Sequence, residues 1–109
     1  MTEQTDWHLV GPATDIDEED VIPFDLGART FAIYHTSSGF YATDGICTHE
    51  HAHLADGFVI DDIIECPMHQ GRFHIPSGQA KSAPVCVDLA TYPVKLEDGQ
   101  LYIQVPAAP

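Results

Sequence analysis

Two short clusters of metal-binding side chains constrain this chain more than anything else in it. The first is Cys47-Thr48-His49, and sixteen residues later comes Cys66-Pro67-Met68-His69. Each cluster offers one thiolate and one imidazole a few residues apart, so each can grip one side of a metal centre. Two soft sulfurs and two imidazoles form a mixed S₂N₂ set, which suits zinc or an iron–sulfur cluster. The order is Cys-x-His and then Cys-x-x-His, whereas zinc fingers usually bring a Cys pair first and a His pair later.

The same stretch contains a competing signal. His49-Glu50-His51-Ala52-His53 fits His-Glu-x-x-His, the zinc metalloprotease signature. That motif works on a helix, where residues four apart share a face and Glu serves as general base. Here Gly45 precedes it, Asp56-Gly57 follows, and the strand-like Phe58-Val59-Ile60 comes next. Any helix would be very short, and Cys47, Cys66 and His69 would have no role. The protease reading is therefore set aside.

With 109 residues, 44% of them hydrophobic, the chain has the length of one domain with a modest core. No run of 18 apolar residues suggests a membrane span. The start, Met1-Thr2-Glu3-Gln4-Thr5-Asp6, lacks the basic and apolar segments of a signal peptide, so a cytoplasmic location is expected. Three cysteines, two of them in the motif, argue against a disulfide framework. The net charge of −13 repels nucleic acid and anionic membranes and favours encounter with a basic partner surface. Only Arg29, Arg72, Lys81 and Lys95 are positive.

The rest reads as short strands between tight turns. Candidates are 7–10 (ended by Gly11-Pro12), 21–26 (an edge strand because of Pro23), 30–35, 40–43, 58–60, 63–65, 92–96 and 101–105, while 71–75 leads away from the second metal cluster and 84–89 returns to the main body. The acidic link 14–20 is long enough for one helical turn, and Asp98-Gly99 marks a closing hairpin. The fold class expected is all-β: a small antiparallel sandwich or barrel base from residues on either side of an inserted unit, about 45–85, that carries the metal on two loops. Residues 1–109 then form a single domain. Cys86 lies outside the paired motif and is read as a small buried apolar residue. Trp7, Phe31, Tyr34, Phe40, Tyr41 and Phe58 are read as core. His8, His35 and His74 are read as ordinary strand or surface residues, and Asp44, Glu50 and Asp56 as solvated or facing a basic partner.

The paired order closely resembles the Rieske [2Fe–2S] motif. The likeness extends through Cys66-Pro67-Met68-His69-Gln70-Gly71-Arg72-Phe73, Ser77-Gly78 and Ala83-Pro84-Val85 to the soluble Rieske ferredoxins of bacterial aromatic-ring dioxygenase systems. The resemblance implies the Rieske fold and one [2Fe–2S] cluster, with Cys47 and Cys66 on the buried iron and His49 and His69 on the outer iron. It also implies a third loop around Pro84. High-potential Rieske proteins add a disulfide and hydroxyl donors. Here the matching positions are Ala52 and Met68, then Gly71 and Phe73. Fewer donors stabilise the reduced cluster less, so a potential around −150 mV rather than about +300 mV is expected. Gly71 is either a close-approach position beside the cluster or an ordinary turn glycine.

The function implied is electron carriage, from an NAD(P)H-dependent flavoprotein reductase to the Rieske centre of a terminal oxygenase. The chain has no obvious 2-His-1-carboxylate site and so is not expected to be the oxygenase or any other enzyme. Two alternatives remain: a Rieske-like small subunit of another redox complex, such as nitrite reductase, and a structural zinc module using the same four ligands.

Overall fold

The computed structural model describes residues 5–48, 52–68, 71–82 and 87–106. Its strands are β1 (Thr5–Pro12), β2 (Asp20–Leu26), β3 (Arg29–Thr36), β4 (Gly39–Asp44), β5 (Phe58–Ile60), β6 (Ile63–Glu65), β7 (Arg72–His74), β8 (Ala80–Ser82), β9 (Thr91–Tyr92), β10 (Val94–Glu97) and β11 (Gln100–Pro106). Among the described residues they form three antiparallel sheets, ordered β1-β11-β10, β2-β3-β4-β9 and β5-β6-β7-β8. The first two make the base, and the third carries the loop that begins at Cys66. No helix among the described residues is long and apolar enough to cross a membrane.

β3 explains the layering. Its run Phe31-Ala32-Ile33-Tyr34 is buried throughout, as expected for a strand covered on both faces. Successive side chains point to opposite faces. Phe31 and Ile33 join Ile16, Ala42, Leu101, Ile103 and Val105 in one core. Ala32 and Tyr34 join Val21, Leu54, Val59, Ile64, Phe73, Ile75, Leu89 and both motif cysteines in the other. The central sheet therefore separates the base core from the core beneath the candidate metal loops.

Several strand expectations need correction. Gly11-Pro12 does not end β1: the ladder skips Val10 in a bulge, with Gly11 at φ +147°, and pairing continues to Pro12↔Gln100. The stretch 92–96 is two strands, because Pro93 lacks an N–H for the ladder. The chain leaves the central sheet after Tyr92 and enters the first sheet at Val94. Pro93 still contributes its carbonyl, which accepts Gln104 N–H at 2.9 Å. β8 lies in a polar stretch that carried no strand pattern. Of the stretch 84–89 that returns to the base, residues 87–89 are irregular, and 83–86, including Cys86, lie outside the described residues. As expected, Pro23 sits on the edge strand β2. The turn Asp98-Gly99 has both residues at positive φ, 52° and 79°, as a two-residue hairpin requires.

Candidate metal centre

Each motif cysteine opens a loop that closes on itself in the same way. At the end of β4, Gly45 donates its N–H to Thr30 O at 3.0 Å and accepts Leu54 N–H at 2.8 Å. Ile46 forms an antiparallel bridge with His53. Within that frame Cys47 N–H donates to Ala52 O, five residues on, at 2.9 Å. The second loop leaves β6 and returns as β7, with Glu65 paired to Arg72. Here Cys66 N–H donates to Gly71 O, again five residues on, at 2.7 Å. In sequence His49 falls inside the first closed loop and His69 inside the second. Both histidines lie outside the described residues, as do Glu50, His51 and Gln70. The structure thus brings Cys47 and Cys66 into one core and describes no position for the imidazoles.

Both cysteines are deeply buried, 4% and 1% exposed, in the same hydrophobic core. Phe73 is fully buried in that core, and Gly71 is also buried. Tyr34 shares the core. Thr43 donates its hydroxyl to Asp44 O at 2.7 Å, so Tyr34 Oη donates to Thr43 Oγ1 at 2.8 Å. Burial holds the Tyr34 phenol well above its ordinary pKa, against a smaller opposing effect of that hydrogen bond. A thiolate is costly in such surroundings unless a cation compensates it. Two buried sulfur donors, each beginning a tight loop with an imidazole in it, fit an iron–sulfur centre with two sulfur and two nitrogen ligands. Of the positions read as lacking a disulfide, Ala52 packs against the core and Met68 is half-exposed.

The protease motif fails on its last residue. His53 has extended backbone, φ −79° and ψ 124°, and the one-turn 3₁₀ helix Leu54–Asp56 begins after it. The motif's second histidine is thus not helical.

Other residues differ from expectation. Phe58 is not core but 63% exposed, because it occupies an outward position of β5 while Val59 points inward. Trp7 is 39% exposed, with Lys95 Nζ 4.5 Å from its ring centroid. Asp44 is engaged by the chain itself, accepting Tyr92 Oη at 2.7 Å. That contact and desolvation push Tyr92 up to about 12, burial being the larger cause and the neighbouring Asp44 adding to it. His35 and His74 are strand residues, as expected: His35 Nδ1 donates to Ile16 O at 2.9 Å and stacks on Phe40, and His74 pairs with Ser77 Oγ at 2.7 Å. Thr48, between two candidate ligands, donates its hydroxyl to Val87 O at 2.7 Å. Its place inside the motif was the available signal. The Asp44–Tyr92 contact, 48 residues apart in sequence, had none.

Comparison with known proteins adds to this geometry. The Rieske [2Fe–2S] domain family matches residues 6–93. The ferredoxin component of a naphthalene 1,2-dioxygenase system from Pseudomonas aeruginosa is 42% identical over 105 residues, covering 96% of this chain and 99% of that one. The solved ferredoxin of Sphingomonas yanoikuyae B1 superposes with a TM-score of 0.86 at 32% identity, covering 93% of this chain and all of that one. A chain from the complex of reduced oxygenase and oxidized ferredoxin in carbazole 1,9a-dioxygenase gives 0.84 at 35% identity, covering 89% and 91%. A structure described as an NADH-dependent nitrite reductase small subunit from Mycobacterium tuberculosis gives 0.85 at 16% identity, covering 97% and 100%, a likeness of fold alone.

Proposed function

Because this chain belongs to the Rieske [2Fe–2S] family, with the ferredoxin components of dioxygenase systems among its relatives, we propose that Cys47 and Cys66 hold the inner iron of its cluster and His49 and His69 the outer iron. The chain is an electron carrier of a multicomponent oxygenase system rather than a catalyst, and its cofactor is one Rieske-type [2Fe–2S] cluster. When bound, that cluster supplies one reversible one-electron step. The protein's own part is to bury the sulfur ligands, exclude water from them and hold both loops against the base.

The observation that carries the ligand assignment is the shared burial of Cys47 and Cys66 in one apolar core, each opening a loop closed five residues on. The wider reading completes the circuit. Residues 45–85 act as the cluster-binding unit of a single domain in the cytoplasm. A flavoprotein ferredoxin reductase donates the electron and a terminal oxygenase accepts it. The absence of hydroxyls at Gly71 and Phe73 supports a low potential. The structural zinc module uses the same four ligands and is separated by experiment, and the nitrite reductase likeness rests on fold alone.

The test is an electron paramagnetic resonance spectrum of the dithionite-reduced protein, with iron and sulfide assayed on the same sample. Two irons per chain and a rhombic signal of low average g are expected. One zinc, no sulfide and a silent spectrum would overturn the reading. Cys47→Ser, Cys66→Ser, His49→Ala and His69→Ala should each abolish the wild-type signal.

A further inference from the structure

The foot of the first metal loop is fixed to the base by side chains from three neighbouring strands. Arg29 Nη2 on β3 donates to Tyr92 Oη on β9 at 2.8 Å. Tyr92 Oη in turn donates to Asp44 Oδ1, at the end of β4, at 2.7 Å. The guanidinium stands 3.7 Å from the same carboxylate oxygen. It also lies over the buried Phe31 ring, 4.9 Å from its centroid, and Tyr92 meets that ring edge-on at 5.0 Å. The Tyr92 hydroxyl is therefore held from both sides.

What this network holds is the approach to Cys47. Asp44 is three residues before it. Gly45, between them, packs so closely that an added Cβ would stand 3.0 Å from the backbone of Thr30 and Phe31. The chain from 87 to 92 runs beside the chain from 43 to 48. Thr43 pairs with Thr91, Asp44 N–H donates to Ala90 O at 3.0 Å, and Thr48 donates to Val87 O at 2.7 Å. Yet β9 contributes just two ladder pairs, Ala42↔Tyr92 and Thr43↔Thr91. Two pairs make a weak seam, and the charge-assisted Tyr92–Asp44 bond reinforces it at the point where the loop begins.

We propose that Tyr92, clamped between Arg29 and Asp44, is a positioning residue for the iron–sulfur centre, locking the foot of the Cys47 loop to the chain segment beside it. This rests on Cys47 being a ligand, as argued above. Supporting groups orient metal ligands, and a ligand whose support is loosened samples a wider range of orientations. A looser Cys47 should then appear as a spread of cluster environments and as faster loss of iron.

The experiment compares Tyr92→Phe, Asp44→Asn and Asp44→Ala as loaded proteins. The readouts are the linewidth of the reduced resonance signal, the lifetime of the visible absorbance under chelator, and the thermal unfolding midpoint. Tyr92→Phe should broaden the signal and shorten the lifetime about tenfold, the scale of one charge-assisted hydrogen bond. Asp44→Ala should behave in the same way. Asp44→Asn keeps an acceptor for Tyr92 Oη without the charge, so its lifetime should fall between those of wild type and Asp44→Ala. A wild-type linewidth in Tyr92→Phe, with a lifetime that is unchanged or falls only in step with the unfolding midpoint, would reduce Tyr92 to a general stabiliser and overturn the proposal. Should Tyr92→Phe not fold, the contrast between Asp44→Ala and Asp44→Asn decides it alone. A wild-type protein with no cluster signal overturns the functional reading itself, and that failure is visible before any variant is compared.

Discussion

Thr48 Oγ1 donates a 2.7 Å hydrogen bond to the carbonyl of Val87, 39 residues further along the chain. It ties the first metal loop to the segment that follows residues 83–86. An exposed neutral hydrogen bond contributes roughly 0.5–1.5 kcal/mol. Thr48→Val should therefore shorten cluster lifetime under chelator by roughly twofold to tenfold, while Thr48→Ser keeps it. Equal lifetimes for the Val and Ser variants would show that the bond does not steady the loop.

The two phenylalanines of the cluster sheet should respond in opposite ways. Phe73 is fully buried among the cysteines, and Phe58 points outward. Phe73→Ala should cost about 3–5 kcal/mol in denaturant unfolding, the usual range for emptying a core aromatic site. Phe58→Ala should stay within about 0.5 kcal/mol, as surface substitutions do. Similar losses at both sites would contradict the burial pattern.

Stability should decline at alkaline pH. Tyr34 is neutral and buried, with its phenol held above its ordinary value by desolvation. The unfolded chain releases that proton near pH 10, and the folded chain keeps it to higher pH. The stabilising contribution is thus complete below about pH 10 and is lost as pH rises through the folded value. Tyr34→Phe should flatten the decline measured by denaturant titration above pH 10. An unchanged slope would place the alkaline loss elsewhere.

The potential follows from what surrounds the sulfurs. With Gly71 and Phe73 where hydroxyls could stand, the midpoint should fall around −150 mV at neutral pH by film voltammetry. A value above zero would mean that other donors compensate for the missing hydroxyls.

Charge should govern how fast a partner is met. At −13, association with a basic reductase or oxygenase surface should slow steeply as salt rises, because exposed charges are screened within about 8–10 Å at 0.1–0.15 M. A second-order rate for electron transfer that is flat between low and high salt would rule out steering.

The all-β architecture and the convergence of Cys47 and Cys66 on one core were legible because they depend on local spacing. Cys47 and Cys66 are named by their neighbours, and Asp98-Gly99 announces its hairpin through backbone conformations that few residues adopt readily. What stayed hidden depends on distant partners. The stretch around Pro93 reads as a single strand until two different sheets compete for its halves. Phe58 reads as core because hydrophobicity alone does not say which face of a three-residue strand is covered. Asp44 reads as a solvated acid until Arg29 and Tyr92 arrive from strands far away in sequence. In each case tertiary packing supplied the deciding contact.

β3, whose side chains enter two cores in alternation, also limits how far this protein can be treated as a cassette. A graft of residues 45–85 onto another scaffold would leave behind Ala32 and Tyr34, the wall against which Leu54, Val59, Ile64 and Phe73 are packed. The receiving protein would need a strand of its own with small and aromatic side chains in the same places. Transplanting the metal loops therefore means transplanting the strand beneath them, and with it half of the base.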